Sequence, residues 1–154
     1  MKISPTKIYA INQRYVRTVD LDKVYAAAGN VFWFGVYNAA LALFLLFPPL
    51  YRGVGMNICD PVWGWLIAGF LGFTSAVLIL SSHDLHRRAT FVYWEALLRF
   101  IAALVLVSAG LFGNVGLIAV PLGLCDLAIG LAYMFGLPKE LGVSHADLLR
   151  DRLG

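Results

Sequence analysis

Three ionisable residues in otherwise apolar surroundings set the chemical question posed by this chain: Glu95, Arg99 and Asp126. Arg99 lies fourteen residues before Gly113 and Asp126 twelve after Asn114, and Gly113-Asn114 is a dipeptide suited to a tight turn. At 1.5 Å per helical residue, the two side chains are expected about 21 Å and about 18 Å below that turn, close enough in depth to meet. Glu95 is one helical turn from Arg99 on the same face, so it can share the guanidinium. An isolated arginine or aspartate at the centre of a bilayer costs roughly 2.5–3.5 kcal/mol, and such residues face a bundle interior or a polar cavity. Small residues beside them (Ala102, Ala103 and Gly110; Ala119, Gly123 and Gly130) imply close helix contact and a direct ion pair. Two readings stay open. The pair locks the hairpin in register, or two acids and one base line a pocket for an ionisable headgroup or a proton, one acid releasing Arg99 when neutralised. Asn38, a lone amide in the first apolar run, is expected to hydrogen-bond a neighbouring helix or a ligand.

The elements that must position these residues follow from composition. The 154-residue chain is 60% hydrophobic and 14% charged, with a mean hydropathy of +0.78, well outside the usage of water-soluble domains. Runs of about 20 apolar residues are what a membrane-crossing helix needs. They predict an all-α, polytopic four-helix transmembrane bundle with spans at about 28–49, 62–81, 91–112 and 115–136, each boundary good to about two to four residues. Residues 1–27 form an N-terminal segment and 138–154 a C-terminal tail, which leaves no second domain. The first span starts too far along for a secretory leader and is expected to be retained. It opens on Phe32, Trp33 and Phe34, an interfacial aromatic cluster, and is expected to stop at Phe47-Pro48-Pro49.

Ten of the twelve basic residues fall on one side of these spans, Arg52 alone on the other, and Arg99 within the membrane. The positive-inside rule then puts both termini in the cytoplasm of a cell bounded by this inner membrane. The net charge of +3 reflects these flanks, which attract anionic lipid headgroups. Nucleic-acid binding is not expected, because no basic stripe interleaved with stacking aromatics is present.

Other features read more plainly. Ile8, Ile11, Tyr15 and Val19, with basic neighbours, have the spacing of an interfacial helix, with a loose arm as the alternative. Gly53 and Gly55 make the outer loop from Tyr51 to Pro61 a turn rather than a structured cap. Gly64, Ala68, Gly72 and Ala76 recur every fourth residue, a stripe for close packing against another helix of this chain or of a second copy. His83 and His86 have the spacing of two metal ligands, but with only His145 in addition no complete metal site is expected. Cys59 and Cys125 lie at different depths and should be free thiols, Cys125 as a packing residue. Ser144 followed by Asp147 resembles a helix start, predicting a short amphipathic C-terminal helix.

Trp33-Phe34-Gly35 through Phe47-Pro48, Pro61-Val62-Trp63-Gly64, the Arg87-Arg88 loop, Arg99 in the third span and Asp126 in the fourth follow one another in a familiar order. Over residues 30–137 this order resembles a family of small, uncharacterised four-span bacterial inner-membrane proteins, loosely DoxX-like in size and topology. The resemblance implies a four-helix membrane fold and weight on Arg99 and Asp126. Family members carry lysine more often at the first of these positions and aromatics after the aspartate, where this chain has Leu127 and Ala128. The resemblance brings no established activity.

Three functions are therefore carried forward. The first is a non-catalytic accessory or assembly subunit of a larger membrane complex, or a binder of a lipid or quinone-like molecule. The second is a small proton- or ion-coupled transporter or channel working as a homo-oligomer, although four-span exporters place an essential acid in a first span that here has no charge. The third is a membrane-embedded enzyme on a lipid substrate, for which no convergent serine, histidine and acid, no metal set and no nucleotide loop is present. No cofactor is implied.

Overall fold

The computed structural model describes residues 21–151 and, among them, side chains from residue 24 onward. The predicted interfacial helix on Ile8, Ile11, Tyr15 and Val19 lies outside the described residues. Six helices follow: α1 (Leu21–Leu46), α2 (Pro48–Gly53), α3 (Pro61–Ser82), α4 (Leu85–Phe112), α5 (Ala119–Leu141) and α6 (His145–Leu149). Among them α1, α3, α4 and α5 are long and apolar enough to cross a membrane. The chain is thus an all-α, multi-pass membrane protein. Helices are the natural solution because each backbone donor and acceptor is satisfied within its own segment when no water is at hand.

Boundaries differ from expectation where capping decides them. Phe47 is extended (φ −111°, ψ 98°) as a residue before proline prefers, so α1 stops at Leu46. Pro48 and Pro49 then begin α2, because proline suits a first helical turn whose amides need no intrahelical acceptor. With α1 starting at Leu21, Phe32 and Trp33 fall near its middle and face outward instead of marking its entry. Asp60 caps α3 by accepting from the Val62 amide at 2.9 Å. The α3–α4 connection is only His83-Asp84, and α4 begins at Leu85, six residues before the predicted start. The α4–α5 connection is correspondingly longer. Its left-handed residue is Gly116 (φ 103°), where a side chain would run into the Gly55 carbonyl. The fourth span therefore runs from Ala119 through Pro138 to Leu141 and ends at the left-handed Gly142 (φ 65°).

The bundle consists of two tight antiparallel pairs, α1 with α3 and α4 with α5, which touch each other less extensively. Two apolar clusters form along its length. The larger, at the end where α1 begins and α6 lies, gathers Val31, Leu78, Leu85, Val92, Tyr133 and Leu148. The smaller lies at the opposite end beneath α2, around Leu45, Tyr51, Met56 and Ala68. Large side chains such as Phe70, Phe73, Leu104 and Phe135 point outward, as the apolar solvent of a bilayer allows.

The segment from Tyr51 to Pro61 is a structured cap, contrary to the turn expected from its glycines. Tyr51 is fully buried, the Met56 amide closes on the Tyr51 carbonyl at 3.0 Å, and the Asn57 amide donates to Val115 at 2.7 Å, tying the cap to the α4–α5 loop. Tyr51 and Met56 supply the apolar anchors that two glycines alone do not reveal. At the other end α6 carries a complete Ser144/Asp147 capping box, and Leu148 is buried against the larger cluster. Tyr93 Oη and His145 Nδ1 are 2.9 Å apart, and Thr90 donates to Asp151 at 2.9 Å, so the tail is fastened to α4.

The small-residue stripe on α3 splits. Gly64 and Ala68 are buried against α1 and the cap, but Ala76 is exposed and a Cβ on Gly72 would meet nothing within 4 Å. A four-residue step overshoots the helical repeat by about 40°, so the stripe rotates off the contact face within two turns. The lower half of the seam runs instead through Ser75 and Leu78, and the close approach is made by Gly35 on α1, whose carbonyl accepts from Ser75 Oγ at 2.8 Å. Between α4 and α5 the small residues do meet: Gly110 lies against Ala119 and Val120, Gly123 against Ala103 and Leu106, and Gly130 against Ala96 and Arg99. Cys125 is exposed on the outer face and is therefore not the packing residue expected; Cys59 is exposed in the cap, and both are free thiols.

The seam makes a direct prediction. At Gly123 an added Cβ would sit 2.9 Å from Val107 Cγ2 and 3.0 Å from the Ala103 carbonyl, and overpacking of that kind costs about 1–3 kcal/mol. Gly123→Ala is expected to lower the thermal midpoint in detergent, whereas Gly72→Ala leaves it unchanged or raises it. Equal responses at the two positions would contradict this packing.

Candidate functional site

Four residues from three helices converge midway between the two apolar clusters. Arg99, at the centre of α4, donates from Nε to Glu95, whose two carboxylate oxygens lie at 2.8 and 2.9 Å. Its Nη1 donates to Asp126 Oδ1 on α5 at 2.6 Å, and Nη2 to Asn38 Oδ1 on α1 at 3.0 Å. Asn38 Nδ2 donates in turn to Thr74 Oγ1 on α3 at 3.2 Å, and Thr74 to the Leu71 carbonyl at 3.0 Å. The bonds run in one direction, from guanidinium through amide and hydroxyl to a backbone carbonyl. This order fixes the Asn38 side chain, because only its oxygen can accept from arginine.

The sequence-predicted residues Glu95, Arg99, Asp126 and Asn38 are therefore brought together, but by a different register from the one inferred by counting. Ala119 opens α5 level with Gly110, because residues 113–118 fold over the cap end. Arg99 then lies level with Gly130, and Asp126 about three residues, or roughly 5 Å, nearer the cap. The length of the arginine side chain spans that offset. Glu95 sits one turn toward the termini, so Arg99 is held between two carboxylates at different depths.

Burial within the cluster is uneven. The Arg99 and Glu95 side chains are 4% and 7% exposed, whereas that of Asp126 is 16% exposed. Tyr37 on α1 is half-buried and close enough to Asp126 to feel its charge. Asp126 is thus the member of the cluster that can be reached from outside, beside the seam of α1 and α5. The cluster carries two acids and one base, one negative charge more than a simple lock requires.

Three residues with parts in this arrangement were not singled out from sequence. Thr74 extends the chain of donors; the clue is an amide on α1 that needs a partner at matching depth on the antiparallel α3. Tyr133 has a buried hydroxyl without a hydrogen-bond partner and lies in the field of Glu95 and Arg99. Its signal is the seven-residue spacing of Asp126, Tyr133 and Glu140 along one face of α5. Gly35 sets the approach of α1 and α3, hidden because the stripe on α3 was the more regular pattern.

The remaining candidates lie elsewhere. Gly64, Ala68, Gly72 and Ala76 make no contact in the cluster. His83 caps α3 and His86 lies in the first turn of α4, while His145 pairs with Tyr93. Among the described residues no group of three or more histidine, cysteine, aspartate or glutamate side chains could hold a metal ion. No family model, curated protein or solved structure matches this chain.

Removing one partner from a buried ion pair costs about 3–5 kcal/mol, because the survivor is left uncompensated. Arg99→Leu is therefore expected to be the most damaging single change, since it strands two carboxylates and the Asn38 carbonyl oxygen. Arg99→Leu with Asp126→Leu recovers only part of the loss, and adding Glu95→Leu recovers most of the rest. Thermal unfolding in detergent across this series provides the check. Full recovery in the double variant would show that Glu95 is not a partner of Arg99.

Proposed function

We propose that this protein is a non-catalytic component of a bacterial inner membrane that binds a lipophilic molecule, lipid or quinone-like, by its polar head at the charge cluster. One observation carries the reading: of two acids on a single guanidinium, the one nearer the cap is partly exposed beside the α1–α5 seam. A pair serving only as a lock needs one acid, and each further buried charge adds a desolvation cost. A head group able to donate hydrogen bonds, or bearing positive charge, would complete Asp126 while Glu95 and Asn38 keep Arg99 in place. The tail would lie along the apolar outer surface. The ordered likeness to small four-span, loosely DoxX-like proteins is consistent with this role, and so is service as an accessory subunit of a larger complex or as a homo-oligomer.

Orientation belongs to the same proposal. Arg87, Arg88, Lys139 and Arg150 gather at the end bearing the termini and Arg52 stands at the cap end, which favours cytoplasmic termini. Cys59, exposed in the cap, reports on this directly. In intact cells whose outer barrier is permeable to small solutes, a membrane-impermeant maleimide is expected to label Cys59, and the label disappears in Cys59→Ser. Labelling that requires lysis would reverse the orientation.

Mass spectrometry of purified protein released gently from detergent tests the binding. The wild type is expected to carry a stoichiometric lipophilic molecule that is lost, at least tenfold in occupancy, in Asp126→Asn held well below its own, lowered thermal midpoint, where it stays folded. Equal occupancy in the folded variant, or none in the wild type, would defeat the proposal.

A further inference from the structure

A groove separate from the charge cluster lies between α1 and α5, at the end where α1 begins and α5 finishes, with a volume of about 50 Å³. Val31, Leu137 and the edge-to-face pair Phe34 and Tyr133 give it apolar walls, and Asn30 and Glu140 bring its polar groups. Glu140 is the penultimate residue of α5, fourteen residues or about 21 Å of helix from Asp126. It stands one residue before the end of the apolar span, at the level where phospholipid head groups begin.

The groove is electronegative for two reasons. Glu140 is a half-buried carboxylate in the last turn of a helix, where the backbone dipole disfavours an acid and favours a cation. Among the described residues, moreover, neither the Glu140 carboxylate nor the Asn30 amide has a hydrogen-bond or ion-pair partner. The charge that acts on Glu140 is that of Lys139, which is exposed and lies outside the groove. A carboxylate and an amide oxygen on facing walls are acceptors for a group that carries several N–H donors and a positive charge.

We infer that the α1–α5 groove seats the primary ammonium of an aminophospholipid, phosphatidylethanolamine being the simplest. The ammonium donates to the Glu140 carboxylate and the Asn30 carbonyl oxygen, and its methylenes lie against Leu137. The phosphate stays outside, where Lys139 supplies the opposite charge. Size supports the choice of head group. A water-sized group needs roughly 10–15 Å³ of such space, so about three or four fit, enough for the nitrogen and two carbons of an aminoethyl group. A trimethylammonium head is bulkier and donates no hydrogen bond, and a purely anionic head meets Glu140 as a like charge. The seat lies at a different depth from Asp126 and does not depend on binding there.

Mass spectrometry tests the seat on the full chain, delipidated in detergent and offered equal amounts of dioleoyl phosphatidylethanolamine and dioleoyl phosphatidylcholine. The wild type is expected to retain one molecule of the ethanolamine lipid with at least tenfold preference. Glu140→Gln abolishes that preference, and so does Ala132→Leu, which fills the groove from an exposed position; circular dichroism confirms that both variants are folded. Asp126→Asn, held below its thermal midpoint, is expected to keep the preference, so this seat and binding at the charge cluster are read separately. Equal retention of the two lipids would mean that an acyl chain fills the groove. That result, no retained lipid, a preference that survives Glu140→Gln, or one that disappears in Asp126→Asn would each overturn the inference.

Discussion

A guanidinium cannot lose its charge within a protein, so an arginine at the centre of a helix in hydrocarbon must be given acceptors in fixed directions. The architecture of this bundle answers that requirement. Glu95 takes one edge of the group from a turn away, and Asp126 and Asn38 take the other nitrogens from α5 and α1. Each acceptor is useful only if its helix backbone comes close. Gly123 and Gly130 remove the side chains that would hold α5 away from α4, and Gly35 does the same for α1 against α3. In lipid there is little gain from burying apolar surface between helices, so close van der Waals approach and these few polar bonds carry the association. Apolar clusters on either side exclude solvent from the cluster and raise the strength of each bond within it.

The same requirement shapes the ends of the molecule. The two helix pairs touch less extensively than the helices within each pair, and specific contacts join them, among them the Arg99 to Asn38 bond at mid-depth, the loop-to-loop bond between Asn57 and Val115 at the cap, the Phe34 and Tyr133 contact, and the bond from Arg88 to the Leu80 carbonyl. The buried Tyr51 and the docked Leu148 brace opposite ends of the bundle. These contacts add to the larger apolar cluster, which both pairs share. The groove between α1 and α5 exists because that interface is incomplete.

Much of this was legible in the sequence, for reasons tied to the solvent. Long apolar runs specify spanning helices almost unaided, and a charge within such a run is so costly that its partner can be sought by depth alone. Glu95, Arg99 and Asp126 were found in this way. The exact register was not legible, because Gly113-Asn114 looks like the whole turn while the chain reverses over residues 113–118 with its left-handed residue at Gly116. Period-four glycine and alanine on α3 looked like one seam, although a straight helix carries such a stripe out of contact within two turns. Tyr51, Thr74 and Tyr133 were invisible for another reason. Each is an ordinary residue for a membrane helix or loop, and its role depends on what three-dimensional packing places beside its hydroxyl.

Both carboxylates of Arg99 come from its own helix pair, and in the other pair Asn38 finds Thr74 while Ser75 finds the Gly35 carbonyl. Each pair therefore contains partners for its own polar groups before it meets the other. The consequence lies in the history of the molecule during synthesis. The first hairpin can leave the insertion machinery and settle in the bilayer while the second is still being made. The second can follow with its arginine already neutralised, and no stage of assembly leaves that arginine alone in lipid.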